Sequence, residues 1–191
     1  MWQNRSFVRR AGALGFLIGL ISATSQANAD QVAGDHEAQL AGGAFYAQGN
    51  DTGTAQGDIS YGYYWTPAWQ IGISQALSYS INNDTEDVWT GSTLPFVNYH
   101  FRGATTDRRF QPFVGAFLGI GYSDVDLTGS VGPQLGAKYF ISDQIFVSAR
   151  YRYEFYFDDL DMGAETDDFS DGNHAILLGF GFVWGGQDRG R

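Results

Sequence analysis

Between Phe146 and Asp161 two arginines and a glutamate alternate with aromatic residues, and the run then ends in carboxylates, F-V-S-A-R-Y-R-Y-E-F-Y-F-D-D-L-D. Arg150, Arg152 and Glu154 stand two residues apart, the spacing that puts all three on one face of a β-strand. Together with Glu37, Asp58 and Lys138 they have the makings of an ion-paired, hydrogen-bonded network. Catalysis asks for more. The chain has no cysteine, which removes thiol chemistry, disulfides and Cys-based metal sites. Its three histidines are His36, His100 and His174, and only His174 lies close to a serine and an acid, Ser170 and Asp171. Such a trio has the groups that activate a hydroxyl nucleophile, but the residues follow one another along the chain in no recognisable catalytic motif. The acidic run from Asp158 to Gly172 lacks the ligand spacing of an EF-hand. No catalytic residue, metal-ligand set or cofactor is assigned, and the chain reads as a non-enzyme.

The segments that must position these residues begin after residue 29. Arg5, Arg9 and Arg10 precede an apolar stretch, 11–23, and then T-S-Q-A-N-A, which ends in Ala27-x-Ala29. These are the three parts of a secretory signal peptide, with cleavage expected between Ala29 and Asp30. An apolar run of roughly 13 residues falls short of the ~20 that a spanning helix needs. Removing the signal takes away three arginines and no acids, leaving eight basic residues against 21 acidic ones and a net charge of −13. Nucleic acid is not a partner for such a chain.

From Asp30 onward, period-two alternation replaces helical periodicity. Eight segments show it, at about 37–48, 57–66, 69–81, 88–101, 111–123, 130–140, 145–157 and 173–184. In the last, Ile176, Leu178, Phe180, Phe182 and Trp184 share one face. In the third, Ile71, Ile73, Leu77, Tyr79 and Ile81 oppose glycine, alanine, serine and Gln70. The connections alternate as well. One set is short or basic (66–68, 102–109, 141–144), and the other is acidic (49–58, 82–87, 123–128, 158–172) and holds 14 of the 21 acids. This is the pattern of an up-and-down antiparallel meander, and eight such strands close into a barrel.

Side-chain size decides which face points inward. The apolar rows are bulky and the opposite rows are small, with a single lysine, Lys138, after residue 29. A water-facing exterior would be rich in lysine and glutamate, so the bulky rows belong against lipid. Aromatics at both strand ends form the two belts that membrane interfaces favour, with Trp65, Trp69, Tyr99, Phe101, Tyr139, Phe140 and Trp184 at one end. An arginine on the lipid face costs about 2–4 kcal/mol at the midplane. Slipping the seventh strand by one residue would expose both Arg150 and Arg152, at roughly 4–8 kcal/mol, comparable to a domain's whole stability. Gln75 on a lipid row and Pro95 within the fourth segment resist the scheme, and a local bulge would reconcile either.

Two stretches, Q-P-F-V-G-A-F-L-G-I-G-Y-S (111–123) and G-P-Q-L-G-A-K-Y-F-I-S-D-Q-I-F-V-S-A-R-Y-R-Y-E-F (132–155), carry a family likeness. With the alternation around them, the chain from Asp30 resembles the small eight-stranded outer-membrane β-barrel family of Gram-negative bacteria, the OmpA/OmpX type. The resemblance implies an all-β, antiparallel up-and-down transmembrane barrel over 30–184, a cleaved 1–29, and a short periplasmic tail over 185–191. It implies that Gly179, Phe182 and Trp184 serve as the barrel-assembly signal read by the assembly machinery. It also implies both termini in the periplasm, acidic loops outside, and outer-membrane lipids and lipopolysaccharide as surroundings. Members of the family differ in task. A structural or surface-interaction role through the loops, with an unknown surface ligand, stands beside a narrow ion-conducting pore and, more remotely, a lipid A-modifying enzyme.

Overall fold

The computed structural model describes residues 31–47, 52–81, 88–103, 107–122, 127–157 and 173–185. The signal segment, most of the acidic connections and the tail from Gly186 lie outside the described residues. Eight strands follow in order: β1 Asp35–Ala47, β2 Thr52–Tyr64, β3 Trp69–Ile81, β4 Val88–His100, β5 Phe110–Tyr122, β6 Leu127–Phe140, β7 Ile145–Phe157 and β8 Asn173–Gly185. Each pairs antiparallel with its neighbours in sequence, and β1 pairs with β8 from Asp35↔Gly185 to Gly42↔Leu178, closing the barrel. Strands of 13 or 14 residues exceed the 9–11 that cross a hydrocarbon core when tilted.

The period-two rows become an inside and an outside. Among the described residues 18 polar or charged residues are buried against 11 hydrophobic ones, while 26 large hydrophobics are exposed. Ile59 and Leu178 each show 65% of their surface. A water-soluble barrel would reverse that distribution, since large exposed apolar surfaces seek a partner phase. The outer surface is built for hydrocarbon and the inner one for hydrogen bonds.

Glycine and aromatic rings share the narrow interior. A Cβ on Gly136 would meet the Phe113 ring at 2.6 Å, and one on Gly181 would run into the Phe146 ring. The small rows are therefore the seats of large side chains from the neighbouring strand, rather than empty space.

Several sequence expectations shift. β2 begins at Thr52, five residues earlier than expected, because T-G-T-A-Q carries no apolar row yet pairs continuously with β1 and β3. Asp58 is thus a mid-strand residue with a buried side chain, not part of a loop, and 13 acids remain in the four connections. β6 likewise starts three residues early, at Leu127. Phe140, expected in an aromatic belt, is 1% exposed and packs inward against Phe146 and Val183. No bulge accommodates Pro95, whose pairing partner Ile73 keeps the register of the whole β3–β4 ladder. The ladder with β5 simply skips Leu94 and Pro95 and resumes unshifted, as the missing N–H of proline requires. Gln75 also keeps its register and stays on the outer face. Its amide accepts from Thr93 Oγ1 at 2.8 Å and donates to Tyr122 Oη at 2.5 Å, so strands β3 to β5 satisfy it among themselves.

One end of the barrel carries three turns and the N-terminal approach. Thr66 Oγ1 accepts the backbone N–H of Trp69 at 3.0 Å, and Ser142 Oγ accepts that of Ile145 at 3.1 Å, so hydroxyls close two of the turns. The third, between β4 and β5, is longer and uses Asp107 Oδ1 to accept the Arg109 N–H at 2.9 Å. At the opposite end lie Ala47 and Thr52, Ile81 and Val88, Tyr122 and Leu127, and Phe157 and Asn173, the strand ends between which the acidic connections stand in the sequence.

Candidate functional site, the polar interior

Of the six interior residues named from sequence, Glu37 and Lys138 meet near the turn end, and Asp58, Arg150, Arg152 and Glu154 meet further in. All six are buried, and Lys138 and Arg152 are each only 1% exposed. Two clusters result rather than one.

In the first, β1 supplies Glu37, β2 supplies Tyr64 and β6 supplies Lys138. The ammonium of Lys138 donates to Glu37 Oε1 at 2.7 Å, to Oε2 at 2.6 Å and to Tyr64 Oη at 3.1 Å. Tyr64 in turn donates its hydroxyl proton to Glu37 Oε2 at 2.9 Å. An ammonium has three protons, and each has an acceptor. The rings of Tyr64, Phe113 and Phe146 stand 5.0–5.6 Å from Nζ, completing an aromatic cage.

In the second, two guanidinium groups from β7 share one carboxylate from β2. Arg152 Nη2 donates to Asp58 Oδ2 at 3.2 Å, and Arg150 Nη1 lies 3.7 Å from Oδ1. Ser74 donates its hydroxyl to the same carboxylate at 2.5 Å. Glu154 approaches Arg152 Nη1 at 3.5 Å and accepts a hydrogen bond from Tyr156 at 2.6 Å. The Arg152 guanidinium lies 5.1 Å from the Phe117 ring. Among the described residues its Nε and Nη1 have no hydrogen-bond acceptor. This cluster is charge-matched but loosely bonded.

Amide side chains fill the space beside both. Asn98 and His100 approach Gln70 Oε1 at 3.2 and 3.1 Å, Gln134 donates to Asn98 Oδ1 at 2.6 Å, and Gln39 donates to Ser148 at 2.6 Å. Gln111 donates to Gln31 Oε1 at 2.5 Å, which brings the segment before β1 across the turn-end mouth. Gln31, Tyr64 and His100 were not named as interior residues from sequence, and Gln70 was placed on the inner row but not in the network. Row parity within β2, β3 and β4 places the last three inside; Gln31 precedes β1 and has no such signal.

The remaining histidines sit outside. His36 Nδ1 lies 2.6 Å from Tyr61 Oη, and its ring stacks on Trp184. His174 Nδ1 lies 2.6 Å from Tyr151 Oη, with Tyr153 beside it. Ser170 and Asp171, considered with it, lie outside the described residues. Of the residues named as an assembly signal, Phe182 and Trp184 lie on the outer row of β8, and Gly179 faces in, against Ala41.

Comparison with known proteins gives one positive result. No family model and no curated protein matches the sequence. The fold is similar to that of the outer-membrane protein OprG of Pseudomonas aeruginosa, at 13% identity over 82% of this chain and 99% of that one, with a TM-score of 0.52. It is equally similar to Neisserial surface protein A, at 16% identity over 78% of this chain and 94% of that one, also with a TM-score of 0.52. Closed order and these likenesses agree: the chain has the fold of the small eight-stranded outer-membrane β-barrels of Gram-negative bacteria, and its inverted burial is that of a barrel whose outer face meets hydrocarbon.

Proposed function

We propose that the protein is a closed outer-membrane barrel whose working surface is the four acidic loops, with the interior serving as a structural plug. In this reading residues 1–29 are removed on export, both termini and the three turns face the periplasm, and the loops face outward. The observation that carries it is the filled interior, where the six charged residues and their amide neighbours draw hydrogen-bonding side chains from β1 to β7 and the small and apolar inner row of β8 closes the remaining wall. Thirteen acids without one basic residue in the four connections give the outer end a strongly negative field. Such loops repel lipopolysaccharide phosphates unless divalent cations bridge them, and they favour cationic surface ligands. Phe182 and Trp184 present two aromatic rings on the outer row of the final strand, with Gly179 on its inner row, and the three together serve as the signal for the assembly machinery.

A second reading, a narrow ion pore, is favoured by one observation, the unspent donors of Arg152. A guanidinium with idle N–H groups has less to lose on moving than the Lys138 ammonium has. Planar-bilayer recording separates the readings. The plug predicts a flat baseline at moderate voltage, whereas discrete openings that grow in Arg152→Met would replace it with the pore.

A further inference from the structure

The β4–β5 turn concentrates a feature found nowhere else on the described surface. The described residues contain six lysines and arginines, of which Lys138, Arg150 and Arg152 are enclosed in the barrel. The other three, Arg102, Arg108 and Arg109, all belong to this one turn. So every cation that the described surface offers to solvent or headgroups is gathered at one point of the rim, on a chain that is otherwise strongly acidic.

A cleft of about 330 Å³ opens there, lined by Phe101, Arg102, Gly103, Asp107, Arg108 and Phe110, with Gln111 at its inner side. Phe101 and Phe110 are 40% and 41% exposed and flank the cleft at the level of the turn-end aromatic belt. Gln111 is buried, and among the described residues its Oε1 has no hydrogen-bond donor. Asp107 contributes a carboxylate to the lining, so Arg102 and Arg108 leave it with a net single positive charge.

We propose that this cleft is a binding site for the headgroup of a glycerophospholipid in the membrane leaflet at the turn end. Two guanidinium groups match a phosphodiester, which they bond in the forked geometry that arginine favours. The flanking phenylalanine rings match the glycerol backbone and the first acyl carbons. A hydroxylated headgroup such as glycerol brings donors that Gln111 Oε1 and the Asp107 carboxylate can accept. A soluble phosphate would use the arginines and leave the rings idle.

The assignment of that leaflet to the periplasmic side rests on the orientation proposed above, and the two are tested apart. Refolded protein in detergent is titrated with dioleoylphosphatidylglycerol and followed by native mass spectrometry. The wild type is expected to retain one lipid. The Arg102→Gln/Arg108→Gln double variant is expected to lose at least about tenfold in retention, from roughly fivefold per arginine near an anionic headgroup. Asp143→Asn, on a different turn, is expected to retain lipid unchanged. Unboiled gel mobility verifies that each variant is folded, and Arg108→Gln alone, with about a fivefold loss, replaces the double variant should that fail to fold. Equal retention by the wild type and the arginine variants would overturn the site. Inorganic phosphate binding as tightly as the lipid would overturn the lipid assignment. Orientation is read separately from a cysteine at position 143, which should react with a membrane-impermeant maleimide only after the outer membrane is permeabilised. Labelling in intact cells would overturn the orientation while leaving the lipid result standing.

Discussion

The barrel encloses two ionic clusters made of similar groups and completed to different degrees. Around Lys138 every ammonium proton is spent, the distances are 2.6–3.1 Å, and three aromatic rings exclude water. Around Asp58 two arginines compete for one carboxylate at 3.2 and 3.7 Å, and guanidinium nitrogens are left over. A buried ion pair repays its desolvation only when its geometry is good and its remaining hydrogen bonds are made. The Lys138 cluster meets that condition and acts as a rivet between β1, β2 and β6. The arginine cluster meets it in part, which makes it the place where the interior can rearrange.

The contrast breaks most visibly at Lys138. Lys138→Met leaves Glu37 buried with only Tyr64 beside it, and the expected loss is about 3–5 kcal/mol, read as a lower urea midpoint in lipid vesicles. Adding Glu37→Gln to the same chain removes the orphaned charge and should recover more than half of that loss. A smaller effect is expected at Arg152. Arg152→Met leaves Asp58 with Arg150 and Ser74, so about 1–2 kcal/mol is lost in the same assay. Should Arg152→Met cost more than Lys138→Met, the ranking of the two clusters is wrong. The mildest change is Tyr156→Phe, which takes one hydroxyl from Glu154 at the periphery of the second cluster, where about 0.5–1 kcal/mol is expected. Its counterpart Tyr64→Phe should cost more, because it strips a partner from both Lys138 and Glu37 in a fully enclosed site.

Much of this arrangement was legible in the sequence, and the reason differs by strand. In β7 three charges at spacing two, facing tyrosine and phenylalanine, fix the inner and outer rows in one reading, because exposing arginine to hydrocarbon is so costly. In β2 the residues Thr52 to Gln56 carry no such contrast, and only pairing with β1 and β3 makes them strand. The division of the six charges into two clusters was not legible either. Partners such as Lys138 and Glu37 are 101 positions apart, and barrel closure alone brings β1 to within reach of β6. Gln75 misled for a related reason. Its outward position is tolerable because Thr93 and Tyr122, on two other strands, supply its hydrogen bonds. Single-residue rules see the cost and miss the partners.

The central claim is that the bulky rows face lipid, and the absence of native cysteine makes it directly measurable. Single cysteines at the outward positions Ala116, Leu135, Ala149 and Leu178 can carry a nitroxide label in protein reconstituted into phospholipid vesicles. Collision with dissolved oxygen and with a water-soluble nickel complex then reports the medium at each site. The account predicts strong oxygen collision and near-exclusion of nickel at all four. Nickel access matching that of a cysteine at the exposed turn residue Asp143 would place those rows in water and contradict it.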